Sequence, residues 1–179
     1  MERRAHWATL VCVMILAWTA AAQQAVILVR HAEKETNPQA LQGLADKDVP
    51  LSEAGKERAR ALASHLKDAG VDAIYTSFAK RTQLTAEPLA KAIGKKPAVL
   101  GRDTIKKLSD RNKDQIVLIV AHSGGALGVP QFIDQITGKA NDVAIADDEY
   151  GHLFILTPKK DGSWSVIRAR YGAVSRAKS

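Results

Sequence analysis

Arg30-His31 follows the apolar run Ala25-Val26-Ile27-Leu28-Val29, and His122-Ser123 follows Ile116-Val117-Leu118-Ile119-Val120-Ala121. Between them in the chain, Ser77 and Arg81 follow a third run, Val71-Asp72-Ala73-Ile74-Tyr75-Thr76. Two imidazoles and two guanidiniums at the ends of such runs are suited to a dianion. A guanidinium presents a planar fork that holds two oxygens at once, which an ammonium does not. A neutral imidazole can attack phosphorus and carry the phosphoryl group until water releases it. The chemistry these types can do together is phosphoryl transfer, in which negative oxygens must be held as charge redistributes. Arginines and a second histidine can supply that charge without a metal or other cofactor.

These groups meet only if the runs lie side by side and point the same way. An apolar run that ends abruptly on Arg-His reads as a parallel strand buried on both faces, delivering polar groups at its carboxyl end, where open α/β sheets build ligand sites. Residues 25–30, 71–76, a short 98–100 and 116–121 read as strands, the last being the most apolar and therefore central. Ser52 is placed to cap a helix running to about Lys67, with Ala59, Leu62, Ala63 and Leu66 at helical spacing and Gly70 closing it. Ser77 is placed to cap a second helix, broken or kinked near Pro88 and ending by Gly94. A weak helix is expected over 104–111, and another from the His122-Ser123-Gly124-Gly125 stretch to about Ile136, ended by Gly138. His152–Thr157 and Trp164–Arg168 read as a closing hairpin around Lys160-Asp161-Gly162. The pattern predicts an α/β three-layer sandwich, its sheet mostly parallel with an antiparallel edge. Helix starts beside the strand ends are expected to add N–H groups to the pocket.

The chain carries 26 Lys and Arg against 19 Asp and Glu, a net charge of +7. The basic residues are interleaved with carboxylates, and aromatics for base stacking are few, so nucleic acid is not an expected partner. Arg3-Arg4, the apolar stretch Trp7–Trp18 and Ala20-Ala21-Ala22 read as a signal peptide over 1–22, leaving 23–179 as a single domain. The expected location is periplasmic or secreted, with no stable membrane insertion after cleavage. The one cysteine, Cys12, lies inside the leader, so the mature chain would have no disulfide and no thiol nucleophile.

Four pieces of this sequence resemble the histidine phosphatase superfamily, the phosphoglycerate mutase-like proteins. Arg30-His31-Ala32 is similar to its Arg-His-Gly signature, with Glu33 and Asn37 at positions the family also uses. Leu51-Ser52-Glu53-Ala54-Gly55 is similar to its Leu-Thr-x-x-Gly helix start. Ser77, Arg81, Thr85 and Ala86 are similar to its Ser-x-x-x-Arg…Thr-Ala pattern, and His122 to its second histidine. The resemblance covers nearly all of residues 25–170. It implies a metal-independent phosphatase with a phosphohistidine at His31. Arg30, Arg81 and His122 would hold the phosphate, with Asn37 and Ser123 as further substrate contacts, and the substrate would be a phosphorylated small molecule or glycan. A mutase is not expected, because the loops are too short for a deep cap.

Two departures from the family stand out. Ala32 replaces a glycine, which is acceptable if the backbone there has negative φ. No acid follows the second histidine, so the leaving-group proton donor has no obvious residue; Asp103, and after it Glu33, are the carboxylates left for the role. Two other classes remain open. Ala121-His122-Ser123-Gly124-Gly125 resembles a nucleophile elbow, which would make Ser123 the nucleophile of a serine esterase with Asp147 or Asp148 and His152. A non-catalytic phosphate-binding protein is the third reading. His65 and His152 otherwise read as structural, and Asp147-Asp148-Glu149 as a solvated turn.

Overall fold

The computed structural model describes residues 25–100 and 114–174. The signal-peptide segment, Asp103 and the 104–111 helix lie outside the described residues. Six strands form one sheet in the order β3-β2-β4-β1-β5-β6, with β1 at Ala25–Arg30, β2 at Val71–Thr76, β3 at Ala98–Val99, β4 at Ile116–Ala121, β5 at His152–Pro158 and β6 at Trp164–Arg170. Strands β1 to β4 are mutually parallel, while β5 runs antiparallel to both β1 and β6.

The continuous apolar character of β1 and β4 has a direct cause. Val26, Leu28, Val117 and Ile119 pack on one face with Val129, Phe132 and Ile133. Ile27, Val29, Leu118 and Val120 pack on the other with Leu62, Leu66, Ala86 and Leu89. Alternate side chains point to opposite faces of a strand, so covering both faces requires both sets to be apolar. The helices α2 (Glu53–Leu66) and α3 (Lys80–Ala92) cover one face, and α4 (Val129–Thr137) covers the other. The result is the three-layer sandwich with an antiparallel edge. Among the described residues, no helix is long and apolar enough to cross a membrane.

The polar segment 31–50 holds a short helix, α1 (Pro38–Leu41), and a 3-10 turn at Asp46–Asp48. It returns to the sheet through an isolated bridge between Lys34 and Leu51. Ser52 caps α2 by accepting from the Gly55 N–H. Helix α3 does not begin on Ser77 as expected: its N-cap is Ala79, and it runs through Pro88 without a break. Helix α4 likewise starts later than expected, at Val129 rather than beside Ser123. Residues 122–128 form a turn instead, closed by Gly128 N–H to Gly125 carbonyl and His122 N–H to Leu127 carbonyl. Gly125 there has a φ of +75°. Pro130 in the first helical turn then favours a start at 129, since a proline lacks only an N–H that has no helical partner.

Candidate active site

The connections after β1 and β4 leave in opposite directions. From β1 the chain crosses by α2 to β2, beyond β4; from β4 it crosses by α4 to β5, beyond β1. Two neighbouring strands whose connections diverge leave a crevice at their carboxyl ends. The register pairs Arg30 with Ala121, so the next residues on each strand are His31 and His122. Their ring centroids are 5.3 Å apart, edge to face. Both line a cleft of about 640 Å³ with Arg30, Arg81, Ser123 and Phe78.

His31 is 5% exposed. Its Nδ1 lies 2.8 Å from the Ala32 carbonyl. A carbonyl only accepts, so Nδ1 carries the hydrogen and Nε2 keeps its lone pair. Burial, with the positive charges of Arg30 and Arg81 and the second imidazole nearby, lowers its pKa to about 3. It is therefore neutral, the nucleophilic form, across the physiological range. Ala32 has negative φ, as its substitution for glycine requires, and its N–H donates to Thr85 Oγ1 at 2.9 Å.

His122 Nε2 lies 2.9 Å from Ser77 Oγ. Ser77 Oγ is in turn 3.0 Å from Thr82 Oγ1, which is 2.7 Å from the Ala79 carbonyl. Three contacts in this chain need three hydrogens, and the two hydroxyls supply two. The third must sit on His122 Nε2. The chain then reads His122 Nε2–H to Ser77, Ser77 O–H to Thr82, and Thr82 O–H to the Ala79 carbonyl. Burial first, and then Arg81 and Arg30, lower the His122 pKa to about 4.

The two arginines are anchored by the protein without being saturated. Arg30 donates to the carbonyls of Ala146 (2.6 Å), Glu149 (2.8 Å) and Asp147 (2.9 Å) and lies 4.3 Å from the centre of the Tyr150 ring. Arg81 donates to the Asp46 carbonyl at 2.8 Å and to its carboxylate at 3.1 Å. Each keeps a buried Nε–H with no acceptor among the described residues. An unmet buried donor is costly, and on a cationic group it is met best by an anion.

Arg30, His31, Arg81, His122 and Ser123 thus meet at one cleft. Asn37 does not: its side chain accepts from Gln39 N–H as the cap of α1, is exposed, and lies outside the cleft lining. A residue before Pro38 at a helix start is in cap position, and the amide serves that role instead. Glu33 is likewise spent elsewhere, with both carboxylate oxygens on Arg58 at 2.7–2.9 Å. The late start of α4 also removes the helix N-terminus expected beside Ser123. Ser123 donates to Asp147 at 3.3 Å, while His152 Nε2 lies 3.4 Å from Glu149 and its ring stacks on Phe154. No histidine bonds the Ser123 hydroxyl among the described residues, so the elements of a serine triad are not assembled.

Sequence reasoning missed Asp46, Tyr150 and the Ser77–Thr82 hydroxyl pair behind His122. It also missed Arg58, buried between Glu33 and the carbonyls of Tyr171 and Ala173. That one carried a signal: Arg58 falls on the same helical stripe as Gly55, Ala59 and Leu62, where a charge requires a buried partner.

Residues 26–102 match the model of the histidine phosphatase superfamily (branch 1). Phosphoserine phosphatase 1 of Hydrogenobacter thermophilus is 53% identical over 68 residues, 37% of this chain and 31% of that protein. The uncharacterized phosphatase PhoE of Bacillus subtilis is 44% identical over 64 residues, 35% of this chain and 32% of that protein. The chain thus matches about a third of the length of these relatives. Among solved structures, the protein histidine phosphatase SixA complexed with tungstate superposes with a TM-score of 0.63 at 16% identity, covering 82% of this chain and 96% of that one. A mycobacterial glucosyl-3-phosphoglycerate phosphatase does so with a TM-score of 0.61 at 15% identity, covering 80% and 97%. The fold is the one these phosphatases share.

Proposed function

We propose that this chain belongs to the histidine phosphatase superfamily and hydrolyses a phosphomonoester through a phosphohistidine at His31, without a metal. The observation that carries this reading is the pairing of chemistry in one cleft. A neutral His31 with its Nδ1–H fixed and its Nε2 lone pair free lies beside two arginines that each keep an unmet buried donor. In the proposed reaction the His31 Nε2 lone pair attacks phosphorus, and the leaving oxygen departs with the bonding pair. Arg30 contributes its Nε–H and one Nη2 hydrogen, since its other three donors are held by carbonyls. Arg81 contributes its Nε–H and the hydrogens not engaged by Asp46. A dianion beside His122 favours its protonated form, which then adds a charged donor. Water attacks phosphorus in the second step, the P–N bond breaks, and His31 is regenerated. The relatives named above support a phosphorylated small molecule or glycan as the substrate class.

The test is release of phosphate from p-nitrophenyl phosphate by purified chain in excess EDTA. Wild type and Ser123→Ala are expected to turn over, while His31→Ala falls by at least about a thousandfold, as loss of a covalent nucleophile does. Retained turnover in His31→Ala would overturn the phosphohistidine reading. Cleavage of a p-nitrophenyl ester but not the phosphate, lost in Ser123→Ala, would point to an esterase instead.

A further inference from the structure

Phe78 is the most exposed aromatic side chain among the described residues that line the catalytic cleft, at 63%. Its neighbours in the chain are fixed. Ser77 is fully buried and bonded to His122, Ala79 is buried as the cap of α3, and the Phe78 carbonyl accepts from Gln83 Nε2 at 3.1 Å. The ring is therefore held at the cleft by a rigid backbone, one residue from the group that positions the second imidazole. Ala126 and Leu127 add apolar surface to the same cleft. An isolated surface phenylalanine needs no explanation, but one built into the wall of a cationic cleft offers a flat apolar face beside a phosphate site.

A second observation concerns the leaving group. Among the described residues, Asp147 is the only carboxylate lining the cleft, and it accepts from Ser123 and lies 3.9 Å from Arg30. In this arrangement it acts as an acceptor. His31 Nε2 is the attacking atom, and the His122 Nε2–H is engaged by Ser77, so neither nitrogen is placed to protonate a leaving oxygen. A substrate whose leaving oxygen is already stabilised needs no such donor.

We infer that the cleft selects phosphate esters of aromatic hydroxyls, with the ring of the leaving group seated on Phe78. This rests on the phosphatase reading and narrows it to a substrate class. The P–O(aryl) bond breaks as the P–Nε2 bond forms, and its electron pair leaves on the aryl oxygen as a phenolate delocalised into the ring. Water then attacks phosphorus, the P–Nε2 pair returns to nitrogen, and the proton lost by water passes through solvent to the phenolate. The products are a phenol and inorganic phosphate.

The experiment compares kcat/KM for 2-naphthyl phosphate and glycerol 2-phosphate in wild type, Phe78→Ala and Phe78→Trp. Wild type is expected to prefer the naphthyl ester. Phe78→Ala should reduce that preference about tenfold, within the range that loss of one aromatic stacking partner gives. Most of the change should fall in KM, and Phe78→Trp should restore it. Equal losses on both substrates, or no change in the ratio, would overturn the platform while leaving the phosphatase reading intact. A wild-type preference for the glycerol ester would do the same. Failure of wild type to release phosphate from these esters and from p-nitrophenyl phosphate would overturn the phosphatase reading, and this inference with it.

Discussion

His122 is the imidazole whose hydrogens are most tightly specified. Three oxygens and one nitrogen in line, from Ala79 to His122, leave a single assignment in which every contact holds one hydrogen. Removing the Ser77 hydroxyl frees the ring to exchange its tautomers and takes an acceptor from its protonated form. Ser77→Ala is expected to lower kcat about tenfold or more, in the range typical of disturbed proton-transfer groups. The imidazole nitrogen shifts of His122 should move from a pure Nε2–H pattern to a mixture. An unchanged nitrogen spectrum would show that Ser77 does not set the tautomer. At this scale the residues at strand ends were legible from sequence, because abrupt polarity after an apolar run marks the end that carries ligands. Asp46 was not legible, because it lies 35 residues from Arg81 and reaches it only through a turn whose path the pattern does not encode. Asn37, expected as a substrate contact, instead caps α1 in this structure. A side chain that fits a binding role also fits a helix cap, and Pro38 decided between them.

Between residues and molecule stand the elements, and Gly55 illustrates what fixes them. A Cβ at this position would lie 2.1 Å from the Glu33 carbonyl oxygen. Helix α2 therefore packs with its first turn against the strand-end backbone just past His31, closer than any side chain permits. Gly55→Ala is expected to cost about 3 kcal/mol, the upper range for overpacking, because a backbone carbonyl cannot rotate aside as a side chain could. Thermal denaturation monitored by circular dichroism would check it; a variant as stable as wild type would mean that α2 shifts without penalty. The sequence pattern located β1, β2, β4, α2 and the hairpin strands to within two residues of their observed ends. It misplaced the starts of α3 and α4, because Ser77 and Ser123 both have the chemistry of caps. Ser77 instead accepts from the Ala79 N–H in the turn before its helix, and Ser123 turns to Asp147.

Across the whole molecule, a buried His31 and a half-buried His122, both neutral at the meeting point of two core strands, make folding depend on pH. Both have folded pKa values below that of the unfolded chain. Their contribution is therefore fully present above about pH 6.5 and is lost as pH falls toward about 4 for His122 and about 3 for His31. In that window the unfolded chain binds protons that the folded chain refuses, so each group steepens the loss by up to about 1.4 kcal/mol per pH unit. Urea unfolding from pH 7 to pH 3 should give a flatter profile for His31→Asn than for wild type, because an amide can keep the bond to the Ala32 carbonyl without titrating. Parallel profiles would place the acid sensitivity elsewhere. The three layers and sheet order follow from patterns that sum over many residues, which is why they could be read early. Burial of the site, by contrast, depends on the loop from residue 139 to 151, whose polar composition gives no hint that its carbonyls close over Arg30. Because β5 runs opposite to β1, that loop reaches the cleft on its way into a strand rather than out of one. The segment that walls one side of the cleft is thus spliced between two rigid elements without bearing either imidazole or Arg81. Changes in its length or side chains would redraw what enters the cleft, provided that the Ala146, Asp147 and Glu149 carbonyls keep their hold on Arg30.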